Sequence, residues 1–240
     1  MSTTYKINFD FTSSEQRLIL DYLQQNQYQL LGYKGAKGTG QITAGVPTWF
    51  SVPFGNIFGM VDIDYQPKYK VYIFNKAKIA ANTTIEMQSL SVEYGLGTSV
   101  IFNQDGSFST GSESVPADSI RLKNNRPADT PDLTVGLAGL VNLPSGNQYL
   151  PFCAFTLPPQ NSLNMTPQET ICLFAARTAL QSGNVQGNAA APGCEFSFSA
   201  STIEYFLQIL ASTYQVTNVP GTPGVKSVAS GETLTKLLNS

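Results

Sequence analysis

Only one stretch of this chain repeats its apolar residues at helical spacing. Leu18, Ile19, Tyr22 and Leu23 recur on one face, and Thr12-Ser13-Ser14-Glu15 precedes them as a capping box, so the sequence predicts an amphipathic helix from about Ser14 to Asn26. Its simplest use is to cover a sheet edge or close the end of a barrel, with insertion into lipid as the alternative. Everything after it changes period. Short β-type runs at 69–74, 83–87, 98–103, 120–123, 170–175 and 195–199 are separated by Gly, Pro, Asn and Ser clusters, the rhythm of antiparallel sheets. Asn103-Gln104-Asp105-Gly106 reads as a hairpin turn. Segment Ser201–Leu210 is open between helix and buried strand.

The expected fold is therefore mainly β: an antiparallel β-sandwich with one N-terminal amphipathic helix. The 240 residues fit one large domain, drawn as 1–217, with 218–240 as a mobile tail in which Leu234, Leu237 and Leu238 form a weak docking stripe. Hydrophobic residues at 42% suffice for a full core, while charged residues are only 12%. Amides carry the polarity instead, with 16 Asn and 16 Gln. Residues 133–168, 178–194 and 205–225 contain no Asp, Glu, Lys or Arg, yet Pro, Gly, Asn or Gln interrupts each too early for a transmembrane segment.

What the chain lacks narrows its chemistry. With no histidine, imidazole-based triads and imidazole metal sites are excluded. Cys153, Cys172 and Cys194 lack metal-knuckle spacing and have apolar neighbours, which suits three reduced, buried thiols. No metal and no cofactor is expected. Gly35-Ala-Lys37-Gly38-Thr39-Gly40 imitates a phosphate loop but does not lead into a helix, so it reads as an exposed flexible loop. Asp62 and Asp64 are spaced for one side of a strand, and Asp129 and Asp132 flank Pro131 in a turn. Met1 to Phe11 has no apolar run of signal length, which places synthesis in the cytoplasm, with any release non-classical. The N-x-T sequons at Asn82 and Asn164 matter only in a secreted chain.

The most informative segment is 33–78. Eight aromatic residues lie between Trp49 and Phe74, and six lysines between Lys34 and Lys78 face only Asp62 and Asp64. Aromatic rings suit sugar faces and the lipid headgroup boundary, and lysines attract anions. Trp49, Phe50, Phe54, Phe58, Tyr65 and Tyr69, with Lys68 and Lys70 at the edge, are accordingly the candidate ligand-binding residues; packing of the same rings in a core is the competing reading. The expected function is non-catalytic recognition of a glycan or anionic lipid surface, in the style of lectins and small cytolysins and so toxin-like. Self-assembly into a homo-oligomer and a carboxylate- or tyrosine-dependent enzyme are the alternatives. An acidic pI near 5.1 and only four arginines argue against nucleic acid.

Overall fold

A computed structural model describes residues 3–239. In chain order its elements are β1 (Tyr5–Asp10), α1 (Ser14–Gln25), β2 (Gln29–Lys37), β3 (Val46–Pro47), β4 (Phe50–Pro53), β5 (Met60–Phe74), β6 (Ser89–Tyr94), β7 (Thr98–Phe102), β8 (Phe108–Thr110), β9 (Ile120–Asn124), β10 (Leu133–Leu143), β11 (Gly146–Pro151), β12 (Phe155–Leu157), β13 (Ser162–Ala176), β14 (Val185–Gln186), β15 (Gly193–Ser197), β16 (Glu204–Ile209), β17 (Val216–Asn218), β18 (Lys226–Val228) and α2 (Leu234–Leu238). Strand accounts for 48% and helix for 8%, so the protein is mainly β.

Among the described residues two eight-stranded sheets form the body, and β3 pairs with β14 in a separate two-stranded sheet. The first runs β11-β10-β5-β1-β16-β17, with β12 beside β10 and β6 beside β5. In the second, ordered β18-β15-β13-β9-β7-β8, β2 pairs with β13 and β4 with β2. The expectation of purely antiparallel pairing is corrected at two places: β1 lies parallel to β16, and β7 parallel to β9. Each parallel pair joins strands whose connection is long enough to cross over, a geometry that short local turn signals cannot reveal.

Side-chain alternation explains the main core. Val61, Ile63 and Tyr65 of β5 point inward while Met60 and Asp62 face solvent, and they meet Leu30, Trp49, Ile171 and Leu173 of the second sheet's side in one continuous cluster. β2 is buried on both faces, because Leu31 and Tyr33 pack toward α2 while Leu30 and Ala36 join the main core. Close approach fixes two of its glycines. A Cβ on Gly32 would lie 2.3 Å from the Phe50 ring, and one on Gly35 would lie 2.1 Å from the Leu238 carbonyl oxygen.

α1 starts at Ser14 as expected, but its N-cap is Ser13 rather than Thr12, and the Ser13 hydroxyl accepts from the Gln16 backbone N–H. Gln16 itself turns inward. Its amide donates to the Ile209 carbonyl at 2.9 Å and accepts from the Ile209 N–H at 3.2 Å, prolonging the ladder of β16 where β1 has ended.

Three other expectations are corrected. Thr83–Met87 forms no strand; Thr84 makes one isolated bridge to Asn184, and Ile85 alone of the five is buried. Gly35 to Lys37 belong to β2, so only Gly38 to Gly40 remain of the exposed loop. Residues 218–239, read as a tail, carry β18 and α2, with Leu234, Leu237 and Leu238 all buried. The docking stripe governs there, because those leucines complete the cluster around Leu31, Tyr33 and Phe174.

Candidate functional site

The segment richest in aromatics is interior. Trp49, Phe50, Phe54, Tyr65 and Tyr69 are buried, which corrects their reading as an exposed contact surface. Trp49 is fixed to β2 by its backbone N–H, which donates to the Gly32 carbonyl. Its ring crosses to the other sheet, standing edge-on to Tyr65 at 5.2 Å and near Phe152 at 6.4 Å. Lys68 and Lys70 are half-buried, and the Lys70 ammonium lies 4.5 Å over the Tyr149 ring. Of the six aromatic candidates only Phe58 faces solvent, at 81% exposure. It borders a groove of about 410 Å³ shared with Arg17, Leu20, Asp21 and Gln24 of α1.

A polar constellation beside this group reaches from the core to its edge. Lys34, fully buried, donates to the Gln168 carbonyl at 2.5 Å and to Glu169 Oε2 at 2.9 Å. The hydroxyls of Tyr65 and Tyr69 are 2.5 Å apart and each lies 3.3 Å from Glu169 Oε1. Burial lowers the pKa of Lys34, opposed by the Glu169 charge, and burial raises those of Tyr65 and Tyr69 well above 10. The sequence reading missed Lys34 and Glu169 as a pair, since nothing local links positions 135 residues apart.

At the rim of the core, tyrosines from the end of α1 and from the turn between β16 and β17 meet: Tyr22 is exposed, while Tyr28 and Tyr214 are half-buried against the main core. Tyr22 of α1 stacks on Tyr214 at 4.6 Å with an interplanar angle of 2°, and Tyr28 leans against both at 6.2 and 5.7 Å. Two turns assemble them. α1 ends in a Schellman motif: Tyr28 N–H donates to the Leu23 carbonyl and Gln27 N–H to that of Gln24, with Gln27 at φ 56° in the place usually taken by glycine. Between β16 and β17, Tyr214 also adopts φ 56° and donates its N–H to the Leu210 carbonyl. Left-handed backbone at residues other than glycine is strained, and such strain concentrates at functional sites. Tyr22 remains 41% exposed, and the amides of Gln25 and Gln27 are exposed between it and Tyr28 in the chain. No sequence pattern marks this group; Asn82 and Gln160 also adopt positive φ, and what sets the group apart is the contact of its rings.

The remaining candidates are quiet. Asp62 is exposed and Asp64 half-buried on the outer face of β5, and among the described residues no cluster of three or more Cys, Asp or Glu could hold a metal. The three cysteines are free and buried, and burial raises every thiol pKa, that of Cys153 to about 12. No described helix is long and apolar enough to cross a membrane. Compared with protein-family models, curated proteins and solved structures, the chain matches none.

Proposed function

We propose that this protein is a non-catalytic recognition protein, a two-sheet β-sandwich that binds glycans on the platform of Tyr22, Tyr28 and Tyr214. The observation that carries the reading is their convergence on the surface through two turns held at positive φ. The exposed ring of Tyr22, held in place by stacking on Tyr214, offers apolar surface to the C–H side of a sugar ring at little entropic cost. Exposed amides such as Gln25 and Gln27 supply neutral hydrogen bonds to hydroxyls. The low overall charge fits a neutral ligand better than an anionic one.

A second reading, contact with a lipid surface, is favoured by Phe58 at 81% exposure and Leu18 at 72% at the α1 end of the molecule, with Met60 exposed two residues beyond Phe58. Acidic Asp10, Glu15, Asp21 and Asp62 near those residues in the chain oppose attraction to anionic headgroups. Parallel glycan-array and liposome-sedimentation measurements on the wild-type chain separate the two. Binding to one or more glycans without co-sedimentation is the expected result; sedimentation with liposomes and an empty array would transfer the function to Phe58, Leu18 and Met60.

A further inference from the structure

Lys34 occupies a position that the pleat of β2 assigns to an apolar side chain. It shares the inward parity of Leu30 and Ala36, and its ammonium lies 4.4 Å from the Tyr65 ring and 5.7 Å from that of Phe152. Opposite it, the register of β13 slips between Pro167 and Ile171, and this irregular stretch delivers the Gln168 carbonyl and the Glu169 carboxylate to the amine. The best-formed surface cavities of the described residues are lined by other side chains. An amine, a carboxylate and two tyrosyl hydroxyls thus converge where the available reaction partners are one another.

We infer that Lys34 and Glu169 condense into an isopeptide bond between Nζ and the side-chain carboxyl carbon, cross-linking β2 to β13. The carboxyl carbon is one bond beyond the oxygen that the ammonium already touches, so the reactants are held together as an intramolecular pair. The fully buried Lys34 ammonium carries a desolvation cost that a neutral amide does not. Transfer of one proton from Nζ to Oε2 along their existing contact yields a free amine and a carboxylic acid, and the burial of Lys34 disfavours its charged form. The amine lone pair then forms the N–C bond while charge gathers on Oε1, where one of the two tyrosyl hydroxyls donates and is itself polarised by the other through the bond between them. A second proton passes from nitrogen to Oε2, the C–Oε2 bond breaks, and water departs. Nothing is oxidised or reduced.

The product satisfies its surroundings. The remaining N–H keeps its bond to the Gln168 carbonyl, and the new carbonyl accepts from a tyrosyl hydroxyl. The Glu169 side chain, 27% exposed, gives the water a route out.

Intact-mass spectrometry of the denatured full chain, followed by tryptic mapping, tests the bond. The expected mass is one water below that of the sequence, with a branched peptide joining Lys34 to Glu169 and no cleavage after Lys34. Lys34→Met and Glu169→Ala should each restore the full mass. Combining Tyr65→Phe with Tyr69→Phe should slow cross-linking in freshly made protein; an unchanged rate would overturn the role given to the hydroxyls. Full sequence mass with cleavage after Lys34 in the wild-type chain would overturn the proposal, as would water loss mapping elsewhere, and both readings hold whether or not the variants fold.

Discussion

Two groups of aromatic rings in this molecule use the same chemistry for opposite ends. The group around Trp49, Phe50, Tyr65, Tyr69 and Phe152 lies between the sheets and is dense in sequence because β5 crosses the core with every second side chain inward. The trio of Tyr22, Tyr28 and Tyr214 is sparse in sequence and meets only because a helix end and a hairpin turn bring it together. Local enrichment of aromatics therefore reports a buried strand, whereas a surface platform is built by turns from distant positions.

The largest effect that tests this division is on stability. Trp49→Ala leaves a cavity between the sheets and should cost roughly 3–5 kcal/mol of unfolding free energy in denaturant titration, while leaving glycan affinity per folded molecule unchanged. A loss below about 1 kcal/mol would move Trp49 out of the core.

Alkaline titration distinguishes the groups next. Burial raises the pKa of Tyr33 to about 12, lifts those of Tyr65, Tyr69 and Tyr72 well above 10, and raises Cys153 to about 12. Groups whose neutral form the fold favours support it fully below their unfolded-state pKa. That support is withdrawn as pH climbs past this value, because only the unfolded chain then releases protons. Stability should thus fall from about pH 8.5 to 10 upward, the thiols first and the phenols after, with Tyr33 alone removing about 2–3 kcal/mol by pH 12. Lys34, whose pKa burial lowers, acts in the opposite sense, and the cross-link removes it from the titration. Thermal melts across this range check the slope; a flat profile would mean that the interior phenols are solvated.

Smaller effects sharpen the architecture that holds the tyrosine trio. Gln16→Ala leaves both backbone groups of Ile209 without their partner and should cost about 1–3 kcal/mol. At the end of the same helix, Gln27→Gly relieves a positive φ and should stabilise by about 0.5–1 kcal/mol in the same melts. Destabilisation by that change would show that the Gln27 side chain, rather than its backbone, secures the turn.

How much of this was legible depended on whether the signal was local. The period of α1, the β rhythm and the hairpin turn at Asp105-Gly106 are written in neighbouring residues, and Gly106 indeed takes φ 83° between β7 and β8. The parallel pairings of β1 with β16 and of β7 with β9, the docking of α2 on β2 and the meeting of Lys34 with Glu169 all depend on distant partners. Among the aromatic candidates Phe58 is exposed and the buried ones were misplaced, since aromatic residues facing a core and a solvent carry the same local pattern. Tyr22 was visible only as a helix residue. Tyr28 and Tyr214 gave no sequence signal, because the strain that marks their turns is a property of φ and not of composition.

The central claim, that recognition resides in the surface trio and not in the aromatic-rich core, is tested most directly by titrating an array-identified glycan against wild-type, Tyr22→Ala and Tyr214→Ala protein, with melting temperatures measured alongside. Each substitution should weaken binding roughly 10- to 100-fold, and Tyr22→Ala should do so with the melting temperature near that of the wild type. Undiminished affinity in both variants, or a wild-type chain that binds no glycan at all, would contradict it.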